Sequence, residues 1–112
     1  MKIAFTAKGT TMDARMDARF GRTEYFLFYD ETTKELEVFD NRAIESEAHG
    51  AGPKTAQKLS EFKADVLITG NGPGGNANAV LKSMGIAVYI GAGEMTVQQA
   101  YDAYKRDALR KA

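Results

Sequence analysis

Cysteine is absent from the 112 residues, and histidine occurs once, at His49. Without thiols there are no disulfides, no cysteine-ligated zinc and no cysteine-anchored iron–sulfur cluster, and one imidazole does not build a metal site alone. An excess of charge of one sign is also lacking, since 15 Lys and Arg balance 15 Asp and Glu. No whole-protein field therefore favours nucleic acid or an anionic membrane, although a local basic patch is compatible with the balance. No run of about 18 apolar residues occurs, and the opening Met1-Lys2-Ile3-Ala4-Phe5 lacks the long apolar stretch of a signal peptide. The expectation is a cytoplasmic chain with no membrane and no nucleic-acid partner. Its length suits a single domain over residues 1–112 that buries a core without staples.

Glycine is what the chain does have. His49-Gly50-Ala51-Gly52, Gly70-Asn71-Gly72-Pro73-Gly74-Gly75 and Gly91-Ala92-Gly93 each precede an expected helix, and two of the three follow an expected strand. Glycine lets backbone amides approach a ligand, and a helix N-terminus carries unpaired N–H groups and partial positive charge. If the fold gathers these turns at one edge, they form an anion-binding rim.

The alternating Lys2-Ile3-Ala4-Phe5-Thr6-Ala7 reads as a strand, and residues 8–23 as a long polar loop. Such a loop is either functional or disordered until ligand arrives. Tyr25-Phe26-Leu27-Phe28-Tyr29 and Glu35-Leu36-Glu37-Val38-Phe39-Asp40, joined by Asp30-Glu31-Thr32-Thr33, read as a hairpin. Ala56, Leu59 and Phe62 mark a helix over residues 52–63. Asp65-Val66-Leu67-Ile68-Thr69 reads as a strand buried on both faces. Ala77, Val80, Leu81 and Met84 mark a second helix closed by Gly85, and Ile86-Ala87-Val88-Tyr89-Ile90 another strand. Thr96-Val97-Gln98-Gln99 is a capping box opening a third helix through Tyr101 and Tyr104. The charged tail from Lys105 to Ala112 is expected to fray. The result is an α/β fold with three helices and a five-stranded mixed sheet, order 3-2-1-4-5, the second strand antiparallel. Ligands bind outside the carboxyl ends of parallel strands where such a sheet reverses its connection, and the 8–23, 70–75 and 91–95 segments emerge there.

Arg15, Arg19 and Arg22 are spaced four and three, so a helical turn would stack their guanidiniums. The plain alternative is that Phe20 plugs the core, Gly21 makes a turn and the arginines pair with Asp13, Asp17 or solvent. His49 is either a metal ligand or an ordinary loop residue, and Lys54 either assists an anion or is solvated. The Gly70 to Asn76 stretch is neither a Walker loop nor G-x-G-x-x-G, and close approach to a bulky anion explains its glycine excess better than a tight turn. The strand order invites comparison with ribonuclease H-like nucleases. Their two-metal site needs a carboxylate in the first strand, which Lys2 to Ala7 lacks. No nucleophile elbow, catalytic triad or HExxH occurs, so nothing argues for an enzyme.

Asp17-Ala18-Arg19-Phe20-Gly21-Arg22 with Tyr25-Phe26 resembles the D-x-x-F-G-R…(Y)F segment of the dinitrogenase iron–molybdenum cofactor biosynthesis family. His49-Gly50-Ala51-Gly52 is similar to its His-Gly-Ala helix start, and Asp65 to Gly70, Gly72-Pro73 and Leu81 to Ile86 resemble its second half. The resemblance spans residues 2–109. It implies a ribonuclease H-like fold without nuclease activity, and binding or carriage of a metal–sulfur cluster. That cluster is an iron–molybdenum cofactor precursor or a molybdenum–copper sulfide, with cofactor-biosynthesis proteins as partners. The missing cysteine favours the non-covalent, orange-protein mode, with His49 the metal ligand by carry-over. The rest of the candidate site is Arg19 and Arg22 from the loop, then Gly50, Gly52 and Lys54 from the first glycine stretch. Asn71, Gly72, Gly74, Gly75 and Asn76 come from the second stretch, Gly91 and Gly93 from the third. Two alternatives stand beside it. One is a protein-interaction or regulatory module using the residue 35–40 edge or the Tyr101/Tyr104 face, with its oligomeric state open. The other is a phosphate- or nucleotide-binding module at the same rim.

Overall fold

The structure, a computed structural model, describes residues 1–42, 57–72 and 75–112, with side chains at all of these except 75 and 76. Its elements are β1 (Lys2–Ala7), β2 (Tyr25–Asp30), β3 (Leu36–Asp40), β4 (Val66–Ile68), α1 (Gly75–Ser83), β5 (Ala87–Ile90), α2 (Val97–Lys105) and β6 (Arg110–Lys111). Residues 57–61 are also helical, and the start expected for that helix lies outside the described residues.

Alternation fixes both faces of the sheet. Ile3, Phe5 and Ala7 point to one side with Leu27, Ile68, Val97 and Ala100; Ala4 points to the other with Phe26, Phe28, Leu67, Leu59 and Leu81. α2 covers the first face, α1 and the 57–61 helix the second. β1 runs antiparallel to β2 through Phe5 opposite Leu27, and parallel to β4 through Ala4 opposite Leu67. The β2–β3 hairpin pairs as its alternation requires, with Asp30 Oδ1 accepting from the Thr32 amide at 2.9 Å in the turn. Phe28 and Phe62 stack at 4.4 Å and seat the 57–61 helix.

The sheet order is β3-β2-β1-β4-β5-β6. The first five places match the expected order, but the sheet has six strands, not five. The tail does not fray: Arg110 pairs with Ile90 and Lys111 with Tyr89, antiparallel, and the Ala112 amide donates to Val88 O at 2.8 Å. The reversal is made by a Schellman closure of α2. Asp107 takes φ 59°, its amide donates to Tyr104 O and the Ala108 amide to Ala103 O. Gly85 (φ 77°) closes α1 in the same way, as expected, and Lys63 (φ 61°) closes the 57–61 helix. Only one of the three closures uses the residue that advertises it.

Two segments bear on readings that the sequence leaves open. The 8–23 loop is ordered and contains no helical turn to stack Arg15, Arg19 and Arg22: residues 15 and 16 form bridges to Thr96 and Ala7, and the Met16 amide donates to Met95 O at 2.8 Å. Tyr101 and Tyr104 are not a free face. Tyr101 packs edge-on against Phe5 and Tyr29, and Tyr104 against Tyr89.

Candidate functional site

The carboxyl ends of β1, β4 and β5 lie side by side, and the segments that follow them touch. Thr6 Oγ1, at the end of β1, donates to Asp17 O at 2.7 Å and shares a hydrogen bond of 2.8 Å with Thr69 Oγ1, just past β4. The Asn71 amide donates to Ala18 O, and the Gly91 amide to Gly70 O, each at 2.9 Å. A Cβ on Gly70 would lie 2.6 Å from Ala18 Cα and 3.0 Å from Gly93 Cα. Gly70 thus sits in a three-way contact between loops where a side chain is excluded, while a Cβ on Gly93 would find ordinary contacts at 3.5 Å. The 70–72 and 91–93 turns lie together at this edge, as the expected rim requires, and the 8–23 loop joins them.

The rim's donors are fewer than the sequence suggests. Among the described residues, no hydrogen bond engages the amides of Gly72, Gly93 or Glu94. Those of Asn71 and Gly91 are consumed by neighbouring loops. The N-terminus of α2 is closed as well. Val97 N donates to Ala14 O, Gln98 N to Met12 O and Gln99 N to Thr96 Oγ1, while Gln99 Oε1 accepts from Thr96 N. That helix offers no open N–H to an anion. α1 begins at Gly75, the last residue of the second stretch, with no acidic residue in its first turn.

Asp17 anchors the arginine loop. Its carboxylate is 1% exposed and accepts from the Arg19 amide and Nε through Oδ1, and from the second guanidinium nitrogen of Arg19 and the Glu24 amide through Oδ2. Burial pushes this carboxyl up, but the Arg19 hydrogen bonds and charge outweigh it and hold it below the usual carboxylate range. The guanidinium of Arg19 stays half exposed at 51%, and Phe20 does plug the core. Arg22 is exposed one turn further on. Asn41, fully buried, pins this turn by donating from Nδ2 to Gly21 O and Thr23 O.

His49, Gly50, Gly52, Lys54 and Gly74 lie outside the described residues, and at Gly75 and Asn76 only the helical backbone is described. Among the described residues no group of three or more His, Cys, Asp or Glu is placed to hold a metal, and no helix is long and apolar enough to cross a membrane. The structure adds a cleft of about 420 Å³ beside the rim, lined by Gly70, Asn71, Ile90, Gly91, Met95, Ala108, Leu109 and Arg110. Nothing in the sequence signals its last three residues, because they reach the rim only through the Asp107 reversal.

No curated protein matches the chain. Among solved structures, the apo orange protein from Desulfovibrio gigas is 37% identical with a TM-score of 0.93, covering 99% of this chain and 92% of that one. A NifB-like protein of the DUF35 family from Thermotoga is 36% identical with a TM-score of 0.84, covering 98% and 91%. The family described as dinitrogenase iron-molybdenum cofactor matches residues 1–107. On that match, and on a sheet that places the D-x-x-F-G-R loop against both glycine turns, the chain belongs to the dinitrogenase iron-molybdenum cofactor family.

Proposed function

We propose that this protein is a non-enzymatic carrier, acting in the cytoplasm as one domain, for an anionic metal–sulfur cluster held at the rim. The cargo is an iron–molybdenum cofactor precursor or a molybdenum–copper sulfide, exchanged with cofactor-biosynthesis proteins. The observation that carries the reading is the contact of Ala18, Gly70 and Gly93, which sets the loop that carries Arg19 and Arg22 against the turns that hold the open amides of Gly72, Gly93 and Glu94. The first five strands in ribonuclease H-like order, with no acid in β1, agree with a fold of that type used for binding.

The donor set fits a sulfide-coated polyanion. Sulfides accept hydrogen bonds from amides and guanidiniums and need no bond from metal to protein. The start of α1 contributes about 0.3–1 kcal/mol toward an anion. One arginine near 4 Å adds up to about 4 kcal/mol at an effective dielectric of ~20, before desolvation. Arg19, Arg22 and Lys54 supply the cations in this reading. Together such contributions reach the −8 kcal/mol or so of micromolar binding.

The test is to incubate the purified protein with tetrathiomolybdate plus copper, and separately with isolated cofactor precursor, followed by gel filtration. Colour and metal co-eluting with protein are expected, reduced in Arg22→Ala and Lys54→Ala variants that melt normally. No co-elution under either condition refutes carriage. A rise in melting temperature with nucleotides, but not with sulfometallates, would favour the phosphate-binding alternative instead.

A further inference from the structure

We propose that the cleft between the 70–71 turn, the 91–95 turn and β6 is a pocket selective for small sulfur-coated anions over oxyanions, with Arg110 as its cation and Met95 in its apolar floor. The proposal rests on the carrier reading for its class of cargo, but it concerns a different set of side chains. The cleft's 420 Å³ falls within the range of about 300–1,000 Å³ typical of small-molecule sites.

Its lining has two halves. Ile90, Met95 and Leu109 are half-buried and apolar, while Asn71, exposed Gly91 and Arg110 supply polar groups. Among the described residues, no carboxylate lines it. Arg19 and Arg42 are clamped by Asp17 and Asp40, whereas no ion pair engages Arg110 among the described residues. The pocket's lining therefore combines an arginine in no ion pair among the described residues with soft, apolar side chains. A guanidinium is more weakly hydrated than an ammonium, and a thioether is polarisable. An oxyanion entering here would exchange strong hydration for one cation and an apolar wall, which is unfavourable. A thioanion has less hydration to lose and matches the floor in softness.

The test uses the full chain and two mononuclear probes of the same shape and charge, tetrathiomolybdate and molybdate, under anaerobic conditions. Amide shifts are followed by NMR. Tetrathiomolybdate is expected to move Gly91, Leu109 and Arg110 saturably, and molybdate to need at least about tenfold higher concentration. Arg110→Gln should raise the thiomolybdate Kd about tenfold with an unchanged melting curve, because the side chain is exposed. Met95→Leu should narrow the preference between the two anions. Equal affinity for both probes overturns the proposal, as does an unchanged Kd in Arg110→Gln or shifts confined to the Arg19–Arg22 turn. That last pattern leaves cluster carriage standing. Cleft shifts without cluster co-elution would overturn carriage and keep the pocket.

Discussion

Replacing Gly70 by alanine tests the three-way loop contact directly. The added Cβ meets Ala18 Cα at 2.6 Å, Ala18 Cβ at 3.0 Å and Gly93 Cα at 3.0 Å. Two of these atoms are backbone and do not swing aside, so the 17–19 turn or the 91–93 turn must retreat. Overpacking of this kind costs about 1–3 kcal/mol, and retreat of Ala18 weakens its bond from the Asn71 amide, worth about 1 kcal/mol. A total of about 2–3 kcal/mol is expected. Unfolding entropy of about 2.1 cal/mol/K per residue over this chain is roughly 0.24 kcal/mol/K, so the melting temperature should fall by about 8–13 °C. Circular-dichroism melts measure it. Adding Ala18→Gly should recover part of the loss, giving a coupling of at least about 0.5 kcal/mol in a double-mutant cycle. A Gly70→Ala protein melting within about 3 °C of the parent, or strictly additive costs, refutes the contact as drawn.

Four other outcomes follow from the same geometry. Asp17→Asn should destabilise by about 1–2 kcal/mol near neutrality, moderated by the half-exposed Arg19. Because the folded carboxyl sits below its ordinary value, that stability is present above the usual carboxylate range and lost as pH falls through the folded value, so the two proteins' denaturation midpoints should converge in acid. The Tyr101 hydroxyl donates to Glu31 at 2.6 Å, and that bond, with burial, pushes the phenol up to about 12. Its contribution of about 1 kcal/mol should be intact below the ordinary phenol value of about 10 and vanish as pH rises toward 12, a loss Tyr101→Phe will not show in alkaline unfolding curves. Thr96→Ala removes half of the capping box and should cost about 1 kcal/mol in urea melts, with no change in slope. Glu94 is the exposed acid beside the open amides, so Glu94→Gln should tighten anion binding a few-fold by titration, and weaker binding would contradict the placement.

Where local chemistry was sufficient, the fold was legible. The alternation of Glu35 to Asp40, the aromatic run at 25–29, the Thr96 capping box and the Gly85 stop each name their element without help from elsewhere. What stayed hidden depends on distant partners. Arg110 and Lys111 carry no apolar pattern; they become a strand because Asp107 adopts a left-handed conformation that its residue type rarely announces. The 8–16 loop looks unstructured because its order comes from Thr6, Met95 and the first turn of α2. That partnership also closes the start of α2, since the carbonyls of Ala14 and Met12 accept from its Val97 and Gln98 amides. The glycine turns were found, but Gly70 and Gly93 turned out to serve loop-to-loop packing.

On the carrier reading, that packing bears on how a guest would arrive and leave. Three loops wedged together by residues too small to yield behave as a single stiff jaw, so free and loaded forms should superimpose closely, with little ordering penalty on capture. A tight grip on such a jaw is expressed as slow escape more than as fast entry. On that reading, handing the guest onward would call for a recipient that prises the Ala18 turn away from the other two.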